Sequence, residues 1–345
     1  MTWVDPDSEQ MLAATAGLDE QVAGAVDAFQ EIDKLPDANE LSAVAVMGMG
    51  GSAVAGEVLA AYAARRSRLP VVLLNDADAP AFLGPRTLLF AVSFSGDTAE
   101  TLSVAEGALA AGAPVVTVSR GGTLAAMAYE KGLPFIPIAA AVTQPRAAAG
   151  ATITALLLAC EQLGLLTART ELAAAVSQLS ARRKEAESGQ GLPAEIARRI
   201  GRTLPLLHGA HGLAGVAARR WKTQMNENSK SPAFFGLQPE VCHNEVCGFG
   251  QHGDVTRQIL TLVNLRTGLE DAALARRFAV FAEMADEALA AVVEVEGSGE
   301  GELARFFDLV MVGDFVSLHL AAREGIDPGP VPALVEIKRR LAAGV

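Results

Sequence analysis

Two short segments of the sequence combine glycines with hydroxyl side chains, a composition suited to binding an anion. Residues 48–53 read Gly-Met-Gly-Gly-Ser-Ala, and residues 93–98 read Ser-Phe-Ser-Gly-Asp-Thr. Glycines let an anion approach the backbone N–H groups closely, and each hydroxyl adds a further donor. At the start of a helix, such donors can hold a phosphate without a metal or a lysine. We therefore predict a phosphomonoester site whose donors are Gly50, Gly51, Ser52, Ser93, Ser95 and Thr98.

Each of these two segments has a simpler interpretation when it is taken alone. Residues 48–53 would also suit a tight turn, and their glycines have the spacing of a dinucleotide-binding loop. Such a loop requires an acid about 20 residues further on, and Asp76 lies beyond this spacing. Residues 93–98 would also suit a helix N-cap that binds no ligand. The presence of two such segments favours the phosphate site.

A third polar segment, residues 221–245, contains groups that can transfer protons. Glu227 lies between two asparagines, as expected of a carboxylate positioned as a general base, and His243 lies in a predicted turn. Taken singly, Glu227 would be a solvated acid at a helix end and His243 a capping residue. Metal binding through Cys242, His243 and Cys247 would lack the second pair of ligands that a tetrahedral site usually takes from a separate segment. We therefore expect neither a metal nor a cofactor.

Short apolar runs alternate with helix-length segments from residue 41 to residue 138. Runs that are apolar on both faces and separated by helices are typical of a parallel sheet with helices on both sides. The predicted fold class is therefore α/β, with a doubly wound parallel sheet. Because the carboxyl ends of parallel strands meet at one edge, the glycine and hydroxyl segments should lie together. Strands are predicted at residues 43–47, 70–74, 87–93, 114–118 and 133–138.

The second half of the chain repeats the opening of the first half. After a helical region from residue 150 to residue 200, a strand, a glycine-rich turn and a helix are predicted, but the second turn lacks the serine of the first. We therefore predict an N-terminal domain over residues 1–150, a helical connection over residues 151–200 and a second domain of the same class over residues 201–345. Further elements are predicted at residues 203–207, 216–225, 259–264, 290–294 and 332–341.

The composition excludes several classes of protein. The 345 residues carry a net charge of −12 and are 50% hydrophobic, which is enough to bury a core and does not fit disorder. An acidic chain without a long basic run is not expected to bind nucleic acid. The longest apolar stretch, residues 147–160, is too short for a membrane span. An acidic N-terminus and three cysteines favour a cytoplasmic location.

Five segments closely resemble the bifunctional phosphoglucose/phosphomannose isomerases, which are built from two sugar-isomerase (SIS) domains. The resemblance runs in order from about residue 43 to the C-terminal helix. It implies a metal-independent enzyme that interconverts glucose 6-phosphate, and mannose 6-phosphate, with fructose 6-phosphate through a cis-enediol. The segments that carry it are residues 47–53, 93–101, 144–147, 222–228 and 243–245.

The resemblance also implies roles for individual residues. Glu227 matches the base that moves a proton between C2 and C1, and Arg146 matches the cation beside the enediol. His243 matches the ring-opening residue, which the family supplies from the partner subunit, so a homodimer is implied. Lys338 matches a C-terminal lysine that assists ring opening. The phosphate-binding hydroxyls of the family correspond to Ser52, Ser93, Ser95 and Thr98.

Three positions depart from the family's pattern. Val331 stands where some members have a threonine linked to room for the mannose epimer, so phosphoglucose turnover is the firmer expectation. Phe94 and Asp97 replace the tyrosine and asparagine often found in the serine segment. A carboxylate at residue 97 would repel a phosphate unless it points away as a helix cap.

A non-catalytic protein that senses a phosphosugar is the alternative function. Such a protein would keep the glycine and hydroxyl segments but would not need Glu227, Arg146, His243 and Lys338 together. The joint presence of these four residues favours an enzyme.

Overall fold

The computed structural model describes residues 3–139 and 141–343, which form two parallel sheets packed among helices. The strands are β1 (Ala43–Gly48), β2 (Val71–Leu74), β3 (Thr87–Ser93), β4 (Val115–Ser119), β5 (Phe135–Pro137), β6 (Leu204–Ala210), β7 (Phe234–Gln238), β8 (Leu260–Arg266) and β9 (Ala291–Glu296). The helices are α1 (Met11–Ala16), α2 (Leu18–Ala28), α3 (Ala53–Ala63), α4 (Ala99–Ala110), α5 (Gly122–Lys131), α6 (Ala149–Gln162), α7 (Arg169–Ala186), α8 (Gly191–Ile200), α9 (Leu213–Glu227), α10 (Gly253–Ile259), α11 (Ala272–Ala285), α12 (Gly301–Arg323) and α13 (Pro332–Ala342).

The first sheet is parallel throughout, with the strand order β2-β1-β3-β4-β5. Successive residues of β1 enter different cores: Val44 and Val46 pack on one face of the sheet, and Ala45 and Met47 pack on the other. Both faces are therefore covered, which explains why β1 is apolar at every position. The predicted doubly wound α/β fold and its five strands are confirmed.

The second sheet, β7-β6-β8-β9, is also parallel and repeats the order of the first four strands of the first sheet. The predicted internal repeat is therefore confirmed. Strand β7 was not predicted, because Phe234 and Phe235 are exposed and the strand lies at the sheet edge, without an apolar run or a regular alternation.

One continuous core joins the two sheets and is organised around α12, which is buried on nearly all sides. Trp221 of α9 is fully buried there and donates from Nε1 to the carbonyl of Leu309 at 2.7 Å. Gly313 makes this approach possible, because a Cβ at residue 313 would lie 2.0 Å from the indole nitrogen. This hydrogen bond and the close contact at Gly313 hold α9 and α12 against each other.

Within residues 3–139 and 141–343, no helix has the length and hydropathy required to span a bilayer. Helix α13 exposes much of its apolar face, including Val335, Ile337 and Leu341. The domain boundaries at residues 150 and 200 stay a prediction.

Candidate active site

The two glycine and hydroxyl segments lie side by side at the carboxyl edge of the first sheet. Strand β1 ends at Gly48 next to Val92 of β3, so the turns that follow these strands are neighbours. The first turn is a 3₁₀ turn, Gly50–Ser52, which leads into α3, and Gly50 has a φ of 54° that favours glycine. The Ser52 hydroxyl accepts a hydrogen bond from the N–H of Phe94 at 3.2 Å. This bond joins the two segments into one surface.

The hydroxyls of the serine segment are held by one another. The Ser93 Oγ lies 2.8 Å from the Thr98 Oγ1 and accepts from the N–H of Gly96 at 3.1 Å. The Ser95 Oγ accepts from the N–H of Asp97 at 3.2 Å. Thr98 stands at the N-cap of α4, yet its hydroxyl faces Ser93 rather than the helix backbone. Thr98 therefore occupies the predicted N-cap position without capping through its side chain, and binding of an anion at the first turn of α4 stays a prediction.

The carboxylate of Asp97 is directed away from this surface and caps the next helix. Its Oδ1 accepts from the backbone N–H of Thr123 at 2.9 Å and from the Thr123 hydroxyl at 2.8 Å, at the start of α5. These hydrogen bonds, led by the backbone one, hold the pKa of Asp97 below its usual range. The carboxylate of Asp97, which would repel a phosphate if it faced the site, therefore caps α5 instead.

A carboxylate and a guanidinium lie together at the junction of the two halves of the chain. Glu227 is the last residue of α9, and Arg146 lies in the 3₁₀ turn Pro145–Ala148. The Arg146 Nη1 is 3.5 Å from the Glu227 Oε2. The side chain of Arg146 is only 4% exposed, whereas that of Glu227 is 28% exposed. Burial is the main cause that lowers the pKa of Arg146, although Glu227 opposes this shift.

The guanidinium of Arg146 is fixed by four hydrogen bonds to protein oxygens and by its ion pair with Glu227. The four acceptors are the Asn228 Oδ1 at 2.9 Å, the Gln144 Oε1 at 2.8 Å, and the carbonyls of Pro328 and Gly329 at 2.7 and 2.8 Å. Asn228 is itself held by a bond from its Nδ2 to the Ser317 Oγ of α12 at 2.8 Å.

The surface formed by the two glycine and hydroxyl segments is in direct contact with the charged pair through Gly51. A Cβ at residue 51 would lie 2.9 Å from the Cα and 3.0 Å from the N of Arg146, so only glycine fits without displacement. The glycine turn therefore rests on the backbone of the residue that holds Glu227. The structure thus brings together Gly50, Gly51, Ser52, Ser93, Ser95, Thr98, Arg146 and Glu227.

The other two residues singled out in the sequence lie outside this cluster. His243 ends the 3₁₀ turn Glu240–His243 beyond β7 and is exposed, and Lys338 lies on an exposed face of α13. In the part of the chain that the structure describes, neither side chain has a hydrogen bond or ion pair with Arg146 or Glu227. The turn that carries His243 is tied down by Glu245, whose Oε1 is 2.7 Å from the Nε2 of buried His208.

Two charged residues near the pair were not identified from the sequence. The Lys230 ammonium donates to the carbonyl of Glu227 and lies 3.5 Å from the carbonyl of Pro328. The Glu9 carboxylate accepts from the Gln144 side chain, which in turn accepts from Arg146. Lys230 lies three residues after Glu227, and this spacing could have indicated that it lies near the pair. No feature of the sequence around Glu9 indicates that Glu9 lies there.

At the corresponding edge of the second sheet, a carboxylate of the protein accepts from the donors that follow β8. After β8, the Glu270 carboxylate accepts from the N–H groups of Thr267 and Gly268 at 2.7 and 2.9 Å and from the Thr267 hydroxyl at 2.8 Å. These are the donors that an anion would otherwise use. In residues 3–139 and 141–343, no group of three or more His, Cys, Asp or Glu side chains is arranged to hold a metal.

Two parallel sheets of the same strand order, with a carboxylate–guanidinium pair at their junction, define a two-domain α/β protein of the SIS class. The comparisons with known proteins agree. Residues 190–341 match the family model described as the bacterial phospho-glucose isomerase C-terminal SIS domain. The C-terminal domain of glucosamine-fructose-6-phosphate aminotransferase from Francisella tularensis shares the fold, with a TM-score of 0.67 and 15% identity over 94% of this chain and 98% of that one.

Curated relatives identify the family within this class. The chain is 33% identical to the bifunctional phosphoglucose/phosphomannose isomerase of Caldicellulosiruptor bescii, over 96% of this chain and 99% of the relative. It is 30% identical to the protein of the same description from Aquifex aeolicus, over 93% of this chain and 97% of the relative. The chain therefore belongs to the bifunctional phosphoglucose/phosphomannose isomerase family.

Proposed function

We propose that this protein is a metal-independent isomerase that interconverts glucose 6-phosphate and mannose 6-phosphate with fructose 6-phosphate. The observation that carries this proposal is the contact of Gly51 with Arg146, which sets a phosphate-binding surface against a carboxylate–guanidinium pair. Relatives described as bifunctional phosphoglucose/phosphomannose isomerases over nearly the whole chain support the choice of substrates. A binding-only protein would have no use for the charged pair.

The proposed reaction divides the substrate between the two parts of the site. The phosphate binds the hydroxyls of Ser52, Ser93, Ser95 and Thr98 and the first turn of α4, and this remote binding energy holds the reacting carbons in place. The Glu227 carboxylate removes the proton from C2 while the electrons of the C1 carbonyl move onto its oxygen. The hydroxyl proton on the C2 oxygen passes to the C1 oxygen, the same carboxylate returns its proton to C1, and the C2 oxygen becomes the carbonyl of the ketose.

We further propose that the active unit is a cytoplasmic homodimer. Ring opening must precede proton transfer, and His243 and Lys338 are the groups proposed to assist it. His243 is exposed and lies on a separate turn from the Arg146–Glu227 pair, which fits its delivery to the site of a partner subunit. The apolar face exposed on α13 also fits burial in an assembly.

A coupled assay tests the function directly. Purified protein is incubated with glucose 6-phosphate or mannose 6-phosphate, with and without a chelator, and fructose 6-phosphate is measured. We expect turnover of both aldoses, faster for the glucose substrate because Val331 lacks a hydroxyl, and no effect of the chelator. Absence of turnover with both substrates would refute the proposal, and loss of activity with chelator would refute the metal-independent mechanism.

A further inference from the structure

Helix α12 carries two buried carboxylates, and each accepts two hydrogen bonds from an arginine of another helix. Asp308 accepts from Arg182 of α7 at 2.8 and 3.0 Å, and also from the backbone N–H of Ser298 at 2.9 Å. Asp314 accepts from the Nε and Nη2 of Arg220, on α9, at 3.1 and 2.6 Å. The side chains of both pairs are at most 9% exposed. Because desolvation offsets the attraction within a buried ion pair, such a pair often contributes little net stability.

The two arginines differ in what else they contact. The Arg220 Nη2 also donates to the main-chain carbonyl of Arg146 at 3.0 Å. Arg182 instead donates from its Nη1 to the Glu185 carboxylate of its own helix. Of the two pairs, the one at Asp314 therefore connects α12 to the active site, and it does so through the backbone on which Gly51 rests.

A second chain of hydrogen bonds runs from the same turn of α12 to the side chain of Arg146. The Ser317 hydroxyl donates to the carbonyl of Asp314 at 2.6 Å, so its oxygen is left to accept from the Asn228 Nδ2 at 2.8 Å. This contact sets the orientation of the Asn228 amide, whose Oδ1 accepts from the Arg146 Nε at 2.9 Å. Ser317 and Asn228 are fully buried.

Arg146 is thus held at its main chain and at its side chain from one turn of α12. The position of this residue matters for two reasons. Gly51 packs against its backbone, and its Nη1 lies 3.5 Å from the Glu227 Oε2. A movement of Arg146 would change the distance between the glycine turn and the carboxylate, and reaction rates depend steeply on such distances.

We propose that the turn of α12 at Asp314 and Ser317 positions Arg146 for the isomerisation, an inference that rests on the function proposed above. Asp314 acts through Arg220 on the main chain of Arg146, and Ser317 acts through Asn228 on its guanidinium. Both are buried away from the substrate, so they are positioning residues. Their role is to fix the place at which the guanidinium meets the negative charge that develops on the enediolate.

The first test replaces each ion pair by apolar side chains, which leaves neither partner as an unpaired buried charge. The paired change Arg220→Met with Asp314→Leu removes the donor to the carbonyl of Arg146. The paired change Arg182→Met with Asp308→Leu is the matched control on the same helix. We expect the first variant to lose about 10- to 100-fold in kcat, with KM for fructose 6-phosphate changed less than about threefold. The control should keep kcat within about threefold of the parent, whatever its stability.

The second test follows the hydrogen bonds to the side chain. Ser317→Ala should lower kcat about tenfold, whereas Ser177→Ala, at an exposed site on α7, should leave it unchanged. Ser317→Ala is then measured in an Arg146→Met background. If Ser317 acts through the guanidinium, its removal should lower kcat there less than about twofold, because no guanidinium remains to be positioned. A purely structural effect would lower kcat by the same factor in both backgrounds.

Three results would overturn the positioning role. They are a kcat of the Asp314 pair variant within about threefold of the parent, an equal loss in the Asp308 control, and an undiminished effect of Ser317→Ala in the Arg146→Met background. If the Asp314 pair variant does not fold, the Ser317→Ala comparison decides by itself. Inactivity of the parent would refute the proposed function and this inference with it, whereas an active parent with unaffected variants would refute the positioning role alone.

Discussion

Gly51→Ala should separate the phosphate-binding surface from the charged pair without removing any functional group. The new Cβ would lie 2.9 Å from the Cα of Arg146, 3.0 Å from its N and 3.2 Å from the carbonyl carbon of Pro145. Ordinary contact begins at 3.4 Å, and all three atoms belong to the main chain, so no side chain can rotate aside. The two turns must therefore move apart by about half an ångström.

This displacement predicts a loss in both stability and rate. Forcing one methyl group into packed backbone costs about 1–3 kcal/mol of unfolding free energy. A misplacement of about 1 Å between reacting groups can lower the rate roughly 100-fold. A displacement of about half an ångström should therefore lower the rate about tenfold or more. We expect kcat/KM for fructose 6-phosphate to fall about 10- to 100-fold, mainly in kcat, because the phosphate donors themselves are unchanged.

The assay measures kcat and KM by the coupled reaction and stability by urea unfolding. Gly24→Ala is the control, because Gly24 lies exposed on α2 and a methyl group there would meet no neighbouring atom within 4 Å. That variant should gain about 0.5–1 kcal/mol of stability and keep full activity. A Gly51→Ala protein that retains the parent's kcat would show that the contact with Arg146 does not set the geometry of the reaction.

Three further predictions concern other parts of the site. Glu227→Gln should lower turnover by about 10⁴-fold while phosphosugar binding stays within about threefold, and a variant that turns over normally would refute its role as the base. His243→Ala should slow reaction from the cyclic sugar more than from an open-chain substrate, and mixing it with Glu227→Gln should restore about a quarter of the parent's activity if His243 crosses a dimer interface. Asp97→Asn should reduce the loss of stability in acid seen by urea unfolding below about pH 4. The lowered pKa of Asp97 stabilises the fold above its unfolded pKa, and this contribution disappears as the pH falls through the folded pKa.

The sequence determined the parts of this protein that depend on neighbours in the chain. Apolar runs such as β1 and β3 revealed buried parallel strands, because each strand faces a core on both sides. The glycine and hydroxyl segments were recognisable from their composition, because such turns need particular residue types. An edge strand such as β7 was missed, since exposed phenylalanines carry no periodic signal.

The tertiary structure alone decided how these parts work together. Arg146 and Asn228 are 82 residues apart in the chain, and only the tertiary fold brings the Arg146 Nε to 2.9 Å from the Asn228 Oδ1. The direction of the Asp97 carboxylate and the hydrogen bonds from Arg146 to the carbonyls of Pro328 and Gly329 likewise have no local signature. Residue types and their spacing specify each element by short-range sterics and hydrogen bonding. Distances between elements depend on how a whole core packs, and catalysis depends on those distances.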